Sequence, residues 1–306
     1  MGLSTEEMRR GSDMYGKLLV PLDGSGAAEM VLPYTEEIAS KFGAEIILVS
    51  VSEQAVEEKV HLYRIYLERT VEHVERRLED WGAKEKVTLK HEVLTGKPAG
   101  EILRYADQNT VSVITMASRG RSGQGPWRLG NIASKVLRAT SKPVLLTRRP
   151  PETARLHRRR LIERILVPLD GSVTGEAAIA EAETLALALG AELVLFHAVE
   201  PFTGWIGSEA FAMYPEKEEE RSEAAVVYLD RVEKELQEKG LSTSAGVDLG
   251  SASTKILEYA EANAIDLIAM STHGRSGIGR WVFGSVTDKV LHAGDTPVLV
   301  VQASHV

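Results

Sequence analysis

The segment KLLVPLDGS (Lys17–Ser25) returns almost unchanged as RILVPLDGS (Arg164–Ser172), 147 residues further along the chain. An apolar run follows each copy at the same spacing, FGAEIILVSVSE over 42–53 and LGAELVLFHAVE over 189–200. A repeat unit of about 140 residues is a whole domain, since the units of solenoid proteins are about 20 to 50 residues long. The sequence therefore predicts two similar domains in tandem.

The later parts of the two copies also match, at an offset of 154 residues: 96–123 matches 250–277, and 135–147 matches 289–301. The larger offset gives the second copy a net insertion of seven residues, most simply placed around 201–219. Between the copies, RRPPETARLHRRR (148–160) has two prolines and six arginines, which is typical of a solvated linker. We expect a flexible N-terminal tail over 1–14, domains over 15–149 and 163–306, and a basic linker over 150–162.

Composition excludes several classes of function. The chain of 306 residues has no cysteine, which excludes disulfides, thiolate metal sites and cysteine nucleophiles. A net charge of -8 argues against broad nucleic-acid binding, which needs a basic face. No apolar run reaches the roughly 18 residues that span a bilayer, and the first residues are too polar for a signal peptide. We therefore expect a cytoplasmic protein that binds neither nucleic acid nor membrane.

Short apolar runs rich in β-branched residues recur in each copy, such as LLVPL (18–22) and EIILVSV (45–51) in the first. Runs of this kind are typical of strands buried on both faces of a parallel sheet. Helical stretches separate them, and the first is expected over Ala27–Lys41. The alternating order predicts an α/β fold in which each copy is an open doubly wound domain, a five-stranded, mainly parallel sheet with helices on both faces.

The last apolar run of each copy, PVLLT (143–147) and PVLVV (297–301), would be an exposed apolar edge strand if it ended its sheet. Folded proteins normally cover such edges. We therefore expect the copies to pack as an intrachain pseudo-dimer through these strands. The sequence leaves open whether whole chains pair further into a homodimer.

The loops that follow the strands are the candidate functional segments, because open α/β sheets bind ligands at the carboxyl ends of their strands. Strand one ends in PLDGS in both copies, which places Asp23 and Asp170 at that edge. Each Asp is either a turn and helix-capping residue or an acceptor for a donor group of a ligand.

In the second copy, strand four leads into a loop with the spacing Ser271-x-x-Gly274, nine residues, Gly284-Ser285. Glycines let backbone N–H groups approach an anion, and the helix that follows favours negative charge at its N-terminus. The pattern therefore indicates a phosphate site. The alternative is a connector in which Gly284 only permits a tight turn.

This glycine pattern, in a domain that opens with VPLDGS, resembles the universal stress protein family, and the resemblance covers nearly the whole chain twice. Members with the glycine pattern bind ATP, typically with magnesium, and their domains pair through the final strand. The resemblance implies a nucleotide site in the second copy, with Mg held through the phosphates only. The implied contacts are Pro168, Leu169, Asp170 and Ala198 for adenine, and Met270, Ser271, Gly274, Gly284, Ser285 and Val286 for ribose and phosphates.

The second copy departs from the pattern at Ser271, which replaces the first glycine, and the first copy departs further. It has Ala117 at the first glycine and Asn131 at the serine position, while Arg119 adds positive charge for a phosphate. Asn caps a helix about as well as Ser, so binding is expected to be weaker rather than lost. The matching contacts of this second candidate site are Pro21, Leu22, Asp23, Val51, Met116, Ala117, Gly120, Gly130, Asn131 and Ile132.

The expected function is that of an ATP-binding, stress-response regulatory protein with a protein partner that the sequence does not identify. Two alternatives stay open, an ATP-hydrolysing enzyme of low activity and a nucleotide-free dimeric scaffold. No catalytic residue is identified, because the sequence shows no arginine finger and no acid-base pair beside the glycine loop other than Asp170.

Overall fold

The computed structural model describes residues 14–83, 86–120, 129–148, 160–201, 215–274 and 283–303. Apart from Met14, the predicted N-terminal tail lies outside the described residues. Apart from 160–162, so does the predicted linker.

Each half alternates strands and helices along the chain. The first half contains β1 (Lys17–Pro21), α1 (Gly26–Glu29), α2 (Leu32–Phe42), β2 (Glu45–Ser52), α3 (Glu57–Asp80), β3 (Thr88–Thr95), α4 (Pro98–Gln108), β4 (Val113–Ala117), α5 (Asn131–Ala139) and β5 (Val144–Thr147). The second half contains β6 (Arg164–Pro168), α6 (Val173–Leu189), β7 (Glu192–Val199), α7 (Pro215–Glu238), β8 (Thr243–Leu249), α8 (Ala252–Ala262), β9 (Leu267–Ser271), α9 (Ser285–Ala293) and β10 (Val298–Val301).

The strands of the described residues form one continuous sheet, in the order β3-β2-β1-β4-β5-β10-β9-β6-β7-β8. The pairs within each half are parallel, whereas β5 and β10 run antiparallel with Leu145 opposite Leu299. The predicted α/β fold and the pairing of the halves through their final strands are both confirmed. The strand order reverses between β1 and β4, and between β6 and β9, which is where doubly wound sheets bind ligands.

Alternate residues of the strands face two apolar layers, one on each side of the sheet. Leu18 and Ile165 belong to the layer that contains α2, α3, α6 and α7. Leu19 and Leu166 belong to the opposite layer, with α4, α5, α8 and α9. Both layers extend from one half into the other. Burial of apolar surface contributes roughly 25 cal/mol per Å², and it therefore stabilises the contact between the halves as well as each half. In the described part of the chain, no helix has the length and apolarity to cross a membrane.

The first helical region differs between the halves. The helix predicted over Ala27–Lys41 is two helices, α1 and α2, so that prediction was wrong. Pro33 lies in the first turn of α2, and a proline has no N–H to bond with a preceding helical turn. The second half has Ala180 at the matching position, and α6 runs without a break.

Two carboxylates hold the chain where it enters the second half. Glu37 of α2, only 2 % exposed, accepts the N–H of Leu161 with both oxygens, at 3.1 and 3.0 Å. Asp266 accepts the N–H groups of Glu163 and Arg164, at 2.9 and 3.0 Å. Burial raises the pKa of Glu37 to about 7, although the backbone donors partly oppose the shift. A side chain of the first half therefore fixes the backbone of the second.

Candidate functional site

The aspartates that follow β1 and β6, Asp23 and Asp170, each build a turn. Asp170 Oδ1 accepts hydrogen bonds from the N–H of Ser172 at 3.0 Å and from its hydroxyl at 2.6 Å. Ser172 Oγ accepts the N–H of Gly175 at 3.0 Å and so caps α6. Asp23 and Ser25 repeat this arrangement in the first half. One carboxylate oxygen of each aspartate therefore serves the turn.

The second carboxylate oxygen faces the loop that follows strand four. A β-carbon added at Gly274 would collide with Asp170 Oδ2, and one added at Gly120 would collide with Asp23 Oδ2. A side chain at either position would therefore displace the carboxylate of the aspartate. The loops after strands one and four therefore meet at one edge of the sheet in both halves.

The start of α9 is fixed against the end of β9. Gly284, the N-cap residue of α9, donates its N–H to the carbonyl oxygen of Thr272 at 2.9 Å. Thr287 Oγ1 donates to the carbonyl oxygen of Ser271 at 2.9 Å. Within the described residues no side chain caps α9. The N–H groups of a first helical turn have no partner inside the helix, so this end of α9 is suited to an anion.

These loops border a cavity of about 300 Å³, here called the second-half cavity. The ten residues predicted as nucleotide contacts of the second copy all line it: Pro168, Leu169, Asp170, Ala198, Met270, Ser271, Gly274, Gly284, Ser285 and Val286. Sequence reasoning did not include the other lining residues among the contacts: Gly175, Phe196, His197, Glu200, Arg221, Ala252, Ile256, His273 and Thr287.

The second-half cavity has an apolar wall and a polar wall. Phe196 is fully buried, and its ring centroid lies 4.5 Å from that of Tyr259. On the polar side, His273 Nδ1 lies 3.0 Å from Thr272 Oγ1, and the buried Nε2 has no hydrogen-bond partner in the described structure. A cavity with these two walls suits a ligand that has a flat apolar ring and a group that exchanges hydrogen bonds with imidazole.

A tyrosine anchors each of the long helices α3 and α7 to the helix that follows strand one. The Tyr228 hydroxyl donates to Glu176 at 2.8 Å, and the Tyr66 hydroxyl donates to Glu29 at 2.8 Å. Burial first, and the neighbouring carboxylate second, raise the pKa of both phenols well above their ordinary value. Both tyrosines therefore stay neutral donors, and the helices beside the two cavities are held alike.

The first half has a cavity of about 350 Å³ at the matching place, here called the first-half cavity. All ten candidate contacts of the first copy line it: Pro21, Leu22, Asp23, Val51, Met116, Ala117, Gly120, Gly130, Asn131 and Ile132. Arg119, which the sequence offered as positive charge for a phosphate, also lines it, as do polar side chains that had not been named: Ser52, Glu53, Gln54, Lys59, Tyr63 and Ser118.

The loop after strand four is bonded differently in the two halves. In the second half, Thr272 Oγ1 accepts the N–H of Ala303 at 3.3 Å. At the matching position Ser118 is 2 % exposed, and its hydroxyl has no hydrogen-bond partner in the described structure. A β-carbon at Gly284 would lie 3.5 Å from the Thr272 carbonyl, an ordinary contact, whereas one at Gly130 would lie only 3.0 Å from the Ser118 carbonyl. The first-half loop therefore leaves less space beside its N-cap glycine than the second-half loop does.

Comparison with known families agrees with this duplicated architecture. A family model described as the universal stress protein family matches residues 14–148 and again 162–302. The chain belongs to the universal stress protein family. The two matches make it a tandem member, with two universal stress protein domains in one chain.

One relative and one solved structure match the chain over both copies, and a second relative matches over the length of a single copy. A universal stress protein of Synechocystis sp. is 26 % identical over 307 residues, which cover 92 % of this chain and 98 % of that protein. A universal stress protein of Thermus aquaticus is 32 % identical over 145 residues, 46 % of this chain and 100 % of that protein. The crystal structure of a universal stress protein from Archaeoglobus fulgidus superimposes with a TM-score of 0.69 at 20 % identity, covering 95 % of this chain and 99 % of that one. The structural likeness shows the shared fold over both halves.

Proposed function

We propose that this universal stress protein is a cytoplasmic, ATP-binding regulator of the stress response, and that ATP binds mainly in the second-half cavity. The observation that carries the proposal is that the apolar wall at Phe196 and the uncapped start of α9 border the same cavity. Occupancy by ATP sets the shape of the loops around Gly274 and Gly284, and through them the choice of protein partner.

In this proposal adenine occupies the apolar end of the cavity. Leu169, Phe196 and Ile256 supply apolar surface there, and all three are buried residues that line the cavity. Asp170 also lines the cavity, and because a carboxylate oxygen accepts hydrogen bonds, it is suited to the exocyclic amino group of adenine.

The phosphates occupy the polar end, against the first turn of α9. The backbone N–H groups there and the Ser285 hydroxyl are hydrogen-bond donors, and the helix dipole favours negative charge. His273 lines the same cavity and has a buried ring nitrogen without a described partner. A phosphate oxygen is a suitable acceptor for that nitrogen when it carries the proton.

Magnesium enters this proposal together with the phosphates. Among the described residues, no three His, Asp or Glu side chains form a cluster that could hold a metal ion. Mg²⁺ is commonly bound through one or two carboxylates plus substrate phosphates rather than by a cage of protein ligands. The ion is therefore proposed to bind with the nucleotide and not before it.

Two measurements on the full chain test the proposal. Mass spectrometry of the acid-released ligand identifies any nucleotide that co-purifies, and calorimetry measures the affinity for Mg·ATP. We expect ATP to be found and Gly284→Val to lower the affinity at least about tenfold, because its methyl groups stand beside the start of α9. The melting temperature should stay close to that of ligand-free wild type, since a β-carbon at Gly284 makes only ordinary contacts.

Gly100→Val is the matched control, because Gly100 lies in α4, outside the residues that line either cavity, with open space around its α-carbon. It should leave the affinity unchanged. A wild-type chain that carries no nucleotide and does not bind Mg·ATP would favour the scaffold alternative. Release of phosphate that depends on Asp170 would favour the hydrolysing enzyme.

A further inference from the structure

Arg138 of the first half contacts the start of α9 in the second half. It lies in the last turn of α5, and its guanidinium carbon is 5.2 Å from the centroid of the Phe283 ring. Its Nη2 also lies 3.9 Å from Asp288 Oδ1 in the first turn of α9. Phe283 is 8 % exposed and directly precedes Gly284, which borders the second-half cavity. A cation of one half is therefore placed over the residue that leads into the ligand site of the other.

Within the part of the chain that the structure describes, this contact is found in one direction only. At the 154-residue offset, Phe283 corresponds to Leu129 and Arg138 corresponds to His292. Leucine has no aromatic ring for a cation to face, and His292 Nδ1 lies 2.6 Å from the carbonyl oxygen of Asp288 in its own helix. Arg138 of the first half thus contacts the residue before α9, whereas His292 makes no matching contact with Leu129 in the described structure.

The end of α5 is itself held in place. Gln302 Nε2, just past β10, donates to the carbonyl oxygen of Leu137 at 3.2 Å. Arg138 Nε also lies 3.4 Å from Ser134 Oγ, one turn earlier in α5. These bonds restrict the movement of the last turn of α5 and of the Arg138 side chain, so they help to keep the guanidinium beside Phe283.

We propose that Arg138 is a positioning residue for the second-half ligand site: from the first half, it holds Phe283 and thereby the start of α9 in the binding-competent position. The identity of the ligand rests on the function proposed above, but the positioning does not. A cation over an aromatic face at a partly exposed site is worth about two- to fivefold in an equilibrium constant. The ion pair with Asp288 adds little, because both side chains are nearly half exposed.

The first test needs no ligand. Amide hydrogen exchange is measured in the full chain for Gly284, whose N–H is bonded to Thr272, and for Gly130, whose N–H is bonded to Ser118. Arg138→Gln should speed exchange at Gly284 about two- to fivefold and leave Gly130 unchanged, whereas Arg138→Lys, which keeps the cation, should restore much of the protection. Unchanged exchange at Gly284, or an equal increase at both glycines, overturns the proposal.

The second test measures the affinity for Mg·ATP by calorimetry. Arg138→Gln should weaken binding about two- to fivefold, as should Phe283→Leu, and the double variant should be no weaker than either single one. Additive losses would show that Arg138 does not act through the Phe283 ring, and would overturn the proposal. If wild type binds no ATP while the exchange result holds, the proposed function fails and the positioning role stands.

Discussion

The two cavities share one frame and differ in the groups that a ligand would meet. In both halves a glycine after strand four packs against the aspartate that ends strand one, as Gly120 does against Asp23. The helix beyond begins with Asn131 in the first half and with Ser285 in the second. The loops also differ in bonding, because the Ser118 hydroxyl has no described partner. The comparison teaches that both halves keep the turn and the glycine that packs against it, while the residues at the helix start differ.

The largest expected difference between the halves concerns pH. Glu37 is matched in the second half by Thr184, a neutral residue whose hydroxyl donates to the carbonyl oxygen of Ala180 at 2.9 Å. Burial raises the pKa of Glu37 from 4.5 to about 7 in the folded protein, with Lys41 lowering it and Asp266 raising it. As pH rises from 4.5 to 7, the unfolded chain ionises this carboxyl while the folded protein keeps it protonated, so the free energy of unfolding should fall over this range and level off above it.

The expected loss is roughly 3 kcal/mol between pH 4.5 and pH 7, at about 1.4 kcal/mol for each unit of pKa shift. Urea unfolding of wild type and Glu37→Gln at pH 5 and pH 8 measures it. Wild type should lose more stability than the variant on going to pH 8, whereas Thr184→Val should change stability equally at both values. If the free energy of unfolding changed equally with pH in wild type and in Glu37→Gln, titration of the Glu37 carboxyl would not explain the pH dependence.

The next difference is in affinity. If a phosphate meets the Ser285 hydroxyl, the second-half cavity should bind Mg·ATP about ten- to a hundredfold more tightly than the first, since one hydrogen bond to a charged group is worth about 1.5 to 3 kcal/mol. The exchange Asn131→Ser and Ser285→Asn in one chain should narrow or reverse that ratio. Calorimetry gives the two affinities, and the amide shifts of Gly130 and Gly284 assign them to their cavities.

Equal affinities of the two wild-type cavities for Mg·ATP would contradict this prediction. So would an affinity ratio that stays the same after residues 131 and 285 are exchanged. The matched control is Ser251→Asn, at the N-cap of α8, where the described structure shows no side-chain cap bond. That residue does not line the second-half cavity, so both affinities should stay as in wild type.

Much of the fold and of the site could be predicted because the signals are local and repeated. The apolar runs of the two copies locate the strands, and the edge that PVLLT (143–147) would expose predicts the pairing of β5 with β10. The twenty candidate contacts line the two cavities because they lie at strand ends or helix starts, which the topology brings to one edge. The family resemblance supplied these residues, and the topology explains why they lie together.

What could not be predicted depends on contacts between distant residues. Phe196 and Ile256 line the second-half cavity, but in a sequence they are indistinguishable from core residues. Glu37 bonds the N–H of a residue 124 positions away, and no local pattern distinguishes a buried carboxylate of this kind from a solvated one. The break before α2 is different, because Pro33, which lies in the first turn of α2, is a local signal that the sequence itself contains.

The smallest expected difference is in the loop after strand four. Thr272→Val should lower the free energy of unfolding by about 0.5 to 1.5 kcal/mol, since it removes the acceptor for the N–H of Ala303. Ser118→Ala should leave stability unchanged or raise it slightly, because the buried hydroxyl that it removes has no partner in the described residues. Urea unfolding of the ligand-free chain measures both changes, with Thr272→Ser as the control that keeps the acceptor.

An equal loss in Ser118→Ala and Thr272→Val would mean that the Ser118 hydroxyl is bonded outside the described residues, and the two loops would then be alike. Stability unchanged in Ser118→Ala, together with weaker binding of Mg·ATP to the first-half cavity, would instead identify that hydroxyl as a ligand contact.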